Sequence, residues 1–192
     1  MLTGKLVRLR AREMSDLDNA MRWINDPEVT CFLGGPARYP YSSAQEEAWL
    51  VDAMQRTKPP EISLSIDTLA DGRYIGGIGL HKVNLEDRKA ELGIMIGDKD
   101  CWSQGYGTDA LLTLLRFAFD EVNLNRVNLL VHDDNARAIA CYSKCGFIEE
   151  GRLRQDRYKG GAYHDSLVMG ILVDEFRQLH GGERTEARSA NR

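Results

Sequence analysis

The segment Asp98-Lys99-Asp100-Cys101-Trp102-Ser103-Gln104-Gly105-Tyr106-Gly107-Thr108 joins a strand-like run ending at Gly97 to a helix-like run beginning near Gly107. Gly105 and Gly107 carry no side chain that would hold a ligand away. The amides of Gln104, Gly105, Tyr106, Gly107 and Thr108 can therefore converge on an anion at the positive end of that helix. The expected guest is a pyrophosphate, and a tight glycine turn that holds no ligand is the alternative. Two other phosphate loops are excluded: G-x-G-x-x-G fails at Ala110, and no Gly-Lys-Ser/Thr follows as a Walker loop requires.

The remaining reactive side chains are sparse. Cys31, Cys101, Cys141 and Cys145 lack C-x-x-C spacing and read as free thiols in a chain too large to need a disulfide framework. Cys141 and Cys145 stand at i and i+4 of a helix-like run, but no second Cys/His pair completes four ligands, so no metal is expected. His81 and His132 are each a lone histidine near a strand end with no orienting partner in view, and neither is assigned a catalytic role.

Holding such a turn requires a sheet and a helix, and the periodicities supply both. Lys5 to Arg10 alternates apolar and charged residues as a half-buried strand does, and Ser15 opens a helix with apolar face Leu17, Ala20, Met21 and Ile24 that ends at Asp26-Pro27. Ser43-x-x-Glu46 has the capping-box form and predicts a helix to about Gln55, before Pro59-Pro60 breaks the chain. Three strand-like runs follow, around Ile62–Ile66, Tyr74–Lys82 and Lys89–Gly97, with turns at Asp71-Gly72 and Glu86-Asp87. In the last of them Ala90, Leu92, Ile94 and Ile96 share one face, and Glu91, Gly93 and Met95 the other.

The period then lengthens. Leu111, Leu114, Leu115, Ala118, Phe119 and Val122 recur at helical spacing, Val127, Leu129 and Val131 form a strand, and Asp134-Asn135 caps a helix closed by Cys145-Gly146. Phe147–Arg152 and Tyr163–Leu172 are the last strands. The order β-α-α-β-β-β-α-β-α-β-β predicts a mixed sheet of about seven strands in an α/β (α+β) class: an antiparallel meander, then a βαβ unit. One domain is expected over residues 1–180, followed by a disordered tail over 181–192, which has no apolar face.

Bulk properties narrow the partners. The 192 residues are 43% hydrophobic and 28% charged, which suffices to bury a core without disulfides or metal. A formal net charge of -4 gives no general reason to expect nucleic acid as partner, and leaves a cationic amine or a protein terminus open. The first residues have no apolar signal segment, and no stretch approaches the roughly 18 apolar residues of a membrane span. The expectation is a cytoplasmic protein without a membrane partner.

Trp102-Ser-Gln-Gly105-Tyr-Gly107-Thr-Asp-Ala resembles the acetyl-CoA pyrophosphate loop of the GNAT superfamily, Q/R-x-x-G-x-G/A. Asn135-Ala-Arg-Ala138-Ile139-Ala-Cys-Tyr142-Ser-Lys144-Cys-Gly146-Phe147 resembles its second motif, N-x-x-A-x-x-x-Y-x-K-x-G-F. Two motifs in order, separated by a helix and a strand, are more specific than either alone. Leu9-Arg10 with Asp16, Glu150-Gly151, and Gly161-x-Tyr163-x-Asp165 look like the RimJ/RimL branch, which includes spermidine acetyltransferases and antibiotic-modifying enzymes. Trp102 departs from the Gln or Arg common in the wider superfamily.

The resemblance implies an N-acetyltransferase with acetyl-CoA as co-substrate and a sheet splayed at the coenzyme site. It implies that Tyr142 protonates the departing thiolate, although a core tyrosine anchoring the helix is the alternative. Asn135 would bond the pantetheine arm, and is also a plain N-cap. Ile94, Met95 and Ile96 would pair with the pantetheine amides as with an added strand, beside Ala138, and Lys144 would touch phosphate. An aliphatic amine is mostly protonated at pH 7, so a base is needed, and the family position for it points to Glu91; a surface glutamate or a water chain are the alternatives. Phe32–Tyr41 and Arg157–Tyr163 are expected to wall the acceptor pocket. The acceptor is a small amine or a protein α-amine, a homodimer is expected by resemblance, and a catalytically silent acetyl-CoA-binding module is the competing reading.

Overall fold

Apolar residues at alternate positions make Val7–Ala11 and the strands that follow half-buried ladders, and the computed structural model places them in one open mixed sheet. Residues 1–33 and 39–181 are described. In chain order the elements are β1 (Leu2–Thr3), β2 (Val7–Ala11), a 3-10 turn (Met14–Asp16), α1 (Leu17–Ile24), α2 (Pro27–Thr30), α3 (Ser43–Gln55), β3 (Thr57–Lys58), β4 (Glu61–Thr68), β5 (Tyr74–Asn84) and β6 (Lys89–Ile96). After a second 3-10 turn come α4 (Tyr106–Asp120), β7 (Arg126–His132), α5 (Ala136–Cys145), β8 (Ile148–Lys159), β9 (Ala162–Leu172) and α6 (Val173–His180). The sheet order is β1-β2-β4-β5-β6-β7-β9-β8, with β3 paired to β4.

Pairing is antiparallel throughout except between β6 and β7, which run parallel across the α4 crossover. This is the expected meander followed by a βαβ unit. The sheet has nine strands where the sequence predicts about seven. The additions, β1 and β3, are two residues long, too short to carry an alternation.

Three further differences have local causes. Asp26-Pro27, read as a stop, also starts the one-turn α2: Pro27 occupies the first helical position and the Asp26 side chain accepts the Glu28 amide. The capping box of α3 is Ser42 with Gln45, one residue before the expected pair, because S-x-x-Q satisfies the same reciprocal bonds. Helix α6 was not anticipated; it buries Val173 and Phe176, and Phe176 packs on Phe119 with ring centroids 5.2 Å apart. The tail expectation for 181–192 concerns residues that, Gly181 apart, lie outside those described.

One face of the sheet carries the main core. Val7, Leu9, Ile66, Ile78, Leu80 and Leu92 meet the apolar stripe of α4, in which Leu111, Leu114, Leu115 and Ala118 are fully buried. The opposite face is more polar near β2 and β4, where Asp16 accepts from Arg10 Nη2 (2.6 Å) and Ser65 Oγ (2.7 Å). Farther along that face Trp23 of α1, Val29 of α2 and Tyr74 form a second cluster with Met95 of β6 against it. No helix among the described residues is long and apolar enough to cross a membrane.

Candidate active site

Strands β6 and β7 pair at Lys89–Arg126, Ala90–Val127 and Glu91–Asn128, and there the pairing stops. β5 continues to hold the other edge of β6 as far as Ile96. The β7-facing edge of Leu92–Ile96 therefore opens onto a cavity of about 900 Å³, whose far wall is Leu130, Val131 and His132. An open strand edge offers unpaired N–H and C=O groups, which suits an extended amide-bearing ligand.

The glycine turn closes one end of this slot. Gly105 caps α4 with φ +92°, a left-handed conformation that glycine adopts without cost. Ser103, Gly105, Gly107 and Thr108 line the cavity. Gln104 and Tyr106, also expected there by their amides, are not among the lining residues: Gln104 is exposed with its side-chain amide on the Asp100 carbonyl, and Tyr106 packs against the main core.

The turn is braced from both sides. The Trp102 indole Nε1–H donates to the Ile96 carbonyl (2.7 Å), tying the turn to the end of β6. On the other side the buried Asp109 carboxylate, in the first turn of α4, accepts the amides of Lys5 (3.0 Å), Leu6 (2.7 Å) and Val7 (3.0 Å). The Arg137 guanidinium lies over the Trp102 ring at 3.8 Å and also lines the cavity. The aromatic that replaces the superfamily's Gln or Arg thus carries a cation from α5. Sequence reasoning missed Arg137, since the signal is a contact between residues far apart in the chain.

Helix α5 supplies the opposite wall. Asn135 is its N-cap, its Oδ1 accepting the Ala138 amide at 3.2 Å, and both residues line the cavity with the exposed Lys144. Tyr142 also lines it, 8% exposed and edge-on to Phe147 at 5.8 Å. Burial, helped by Cys141 and Cys145, pushes its phenol well above the usual tyrosine range, so it stays protonated. Among these four free thiols, Cys141 Sγ lies 3.3 Å from Thr108 Oγ1.

Glu91 is placed differently. It lies where β6 and β7 are still paired, its side chain 44% exposed and bonded to Lys82 Nζ at 3.0 Å, and it is not among the cavity's lining residues. His132 does line the cavity, and its ring Nδ1 is 3.4 Å from Oγ of the buried Ser166, its direct cross-strand partner on β9. Burial and, after it, Arg157 lower the His132 pKa below its ordinary value.

Phe32 and Leu33 line the cavity and are clasped by the β8 arm. Arg157 Nη2 donates to the carbonyls of Cys31 (2.8 Å) and Leu33 (3.2 Å), and Lys159 Nζ stands 4.6 Å from the Phe32 ring centre. The expected wall, Phe32–Tyr41, is thus seen at Phe32 and Leu33; residues 34–38 lie outside those described.

Known proteins are similar to this chain in sequence and in overall fold. A Bacillus subtilis protein provisionally named a ribosomal N-acetyltransferase, YdaF, is 36% identical over 108 residues, 56% of this chain and 58% of that protein. The spermidine N(1)-acetyltransferase of Vibrio cholerae is 31% identical over 107 residues, 56% of this chain and 61% of that protein. The chain thus spans about three fifths of the length of these curated relatives. A crystal structure of the Vibrio cholerae spermidine N-acetyltransferase in complex with CoA and spermine superposes with a TM-score of 0.77 at 26% identity, over 88% of this chain and 97% of that one. Residues 7–148, most of the chain, match the family described as "Acetyltransferase (GNAT) domain". The chain therefore belongs to the GNAT family of acetyl-CoA-dependent N-acetyltransferases.

Proposed function

We propose that this chain acetylates a primary amine of a small polycationic acceptor of the spermidine type, by direct attack on acetyl-CoA within a ternary complex. The observation that carries the reading is the parting of β6 from β7 beyond Glu91–Asn128, which joins the glycine turn and Tyr142 in one cavity. The open edge of Ile94–Ile96 receives the pantetheine amides, the amides of Gln104–Thr108 and the Arg137 cation receive the diphosphate, and Lys144 and Asn135 flank it. Ala138 and the Asn135 cap fix the start of α5, and with it the approach of Tyr142 to the sulfur. The Tyr142 phenol then protonates the departing thiolate.

A polyamine is favoured over a protein α-amine because the similar Vibrio cholerae enzyme was solved with spermine. A cytoplasmic homodimer belongs to the same reading. The competing silent coenzyme-binding module has no use for a protonated, buried phenol facing the cavity. Isothermal titration with acetyl-CoA, followed by a thiol-release assay across polyamines, aminoglycosides and N-terminal peptides, tests the proposal. Binding with polyamine-dependent thiol release is expected; binding without release for any amine supports the silent module.

A further inference from the structure

An amine that attacks a thioester carbonyl becomes a positively charged nitrogen as the C–N bond forms and the carbonyl pair moves to oxygen. That nitrogen must lose a proton before the C–S bond breaks productively; otherwise the amine leaves again. The group that takes the proton has to sit on the amine's side of the slot, while the group that protonates sulfur sits on the other.

Strand alternation separates those two sides. Val127, Leu129 and Val131 of β7 are buried in the main core with α4 and Tyr142 of α5. Asn128, Leu130 and His132 consequently project to the other face, the face of Gly93 and Met95 on β6. That face is covered by Trp23 of α1 and Val29 of α2, and its segment Phe32–Leu33 lines the cavity. His132 and Tyr142 thus flank the opening between β6 and β7 from opposite faces of the sheet.

We infer that His132 is the general base of this reaction and that Ser166 is its positioning residue. The inference rests on the proposed amine acetylation. With the proton on Nδ1, the imidazole donates to Ser166 Oγ and leaves Nε2 with a free lone pair. Nε2 takes the N–H proton, the tetrahedral carbon collapses, the C–S bond breaks and the Tyr142 proton passes to sulfur. Water then carries the His132 proton to the Tyr142 phenolate, so neutral amine plus thioester gives amide plus thiol with no net proton.

Arg157 and Lys159 of β8 act to lower the His132 pKa, and Asp134 and Asp156 to raise it. On β9, His164 stands on the face of Ser166 with a ring nitrogen within 4.8 Å of the Asp133 and Asp134 carboxylates. Burial and Arg157 outweigh Asp134 and Asp156 and hold the His132 ring neutral at pH 7, as a base requires. Glu91, the carboxylate that family position suggests, is engaged by Lys82 before the strands part. Asp156 lines the same cavity but is exposed on the β8 arm, where it can attract a cationic acceptor.

The test uses the full chain with acetyl-CoA and the best polyamine found. His132→Gln is expected to lower kcat by about 100-fold at pH 7, leave acetyl-CoA affinity within about twofold, and abolish the acid limb of the kcat/KM profile. Ser166→Ala is expected to shift that limb and lower kcat several-fold, which a merely structural serine would not do. By NMR, the wild-type His132 imidazole should titrate below 6.5 and at the acid limb. An unchanged kcat and acid limb in His132→Gln, with wild-type turnover intact, overturns the inference alone; loss of the limb in Asp156→Asn instead places the base on β8. If no amine is acetylated by wild type, the functional reading falls and takes this inference with it.

Discussion

A Cβ built on Gly107 would lie 3.8 Å from Sγ of Cys141, an ordinary contact. There is therefore room for a methyl group at this point of the turn, in keeping with the Gly or Ala that the motif accepts there. Gly107→Ala is expected to fold with unchanged or slightly raised stability, because alanine is favoured over glycine in a helix by up to about 1 kcal/mol. Because the motif accepts Gly or Ala at this position, its acetyl-CoA affinity should stay near wild type. Gly105→Ala, forced to keep φ +92°, should instead lose at least tenfold, about 1.4 kcal/mol, by isothermal titration. Wild-type affinity in Gly105→Ala would remove the turn from the binding site.

Tyr142→Phe keeps the ring against Phe147 and deletes only the hydroxyl. Turnover should fall by about 100-fold, with acetyl-CoA binding nearly unchanged, because a proton donor acts in the transition state and contributes little to ground-state binding. Equal turnover would assign Tyr142 to the core alone.

Asp109 has a structural part with a functional consequence. Its carboxylate takes three amides from residues more than a hundred positions earlier, and holds the β1–β2 turn against the first turn of α4. Asp109→Ala leaves those donors without their acceptor, at about 1–3 kcal/mol for each that stays buried. Urea denaturation should show a loss of roughly 3 kcal/mol. A midpoint unchanged from wild type would contradict this part of the account.

Asp16 sets an acid limit on stability. Burial works to raise its pKa, but the hydrogen bonds from Arg10, Ser65 and the Glu13 amide prevail and hold it below the usual 3.8. A carboxylate depressed in the folded state contributes its stability above the unfolded value, and loses it as pH falls through the folded one. Wild type should therefore lose stability progressively below about pH 4, and Asp16→Asn, less stable at neutral pH, should show a shallower decline there. Parallel declines in denaturation midpoints at pH 6, 4 and 3 would contradict the assignment.

The parts legible in the chain were those with a period or a motif. The α4 stripe of Leu111, Leu114, Leu115 and Ala118 shows its face at helical spacing, and the alternation of Ala90, Leu92 and Ile94 fixes which side of β6 meets it. The glycine turn and the Asn135–Phe147 motif placed both walls of the slot. What stayed hidden depends on partners remote in sequence. His132 looked isolated because Ser166 lies 34 residues away and meets it only through β7–β9 pairing. Arg137 on Trp102 and Asp109 under Leu6 are invisible for the same reason. Glu91 was chosen by family position, and sequence alone does not reveal that Lys82 occupies it before the strands separate.

The most direct measurement is a crystal structure grown with acetyl-CoA. The account predicts diphosphate oxygens within about 3 Å of main-chain nitrogens between Gln104 and Thr108, with the pantetheine arm along Ile94–Ile96. Coenzyme ordered elsewhere on the protein, with this turn empty, would contradict it.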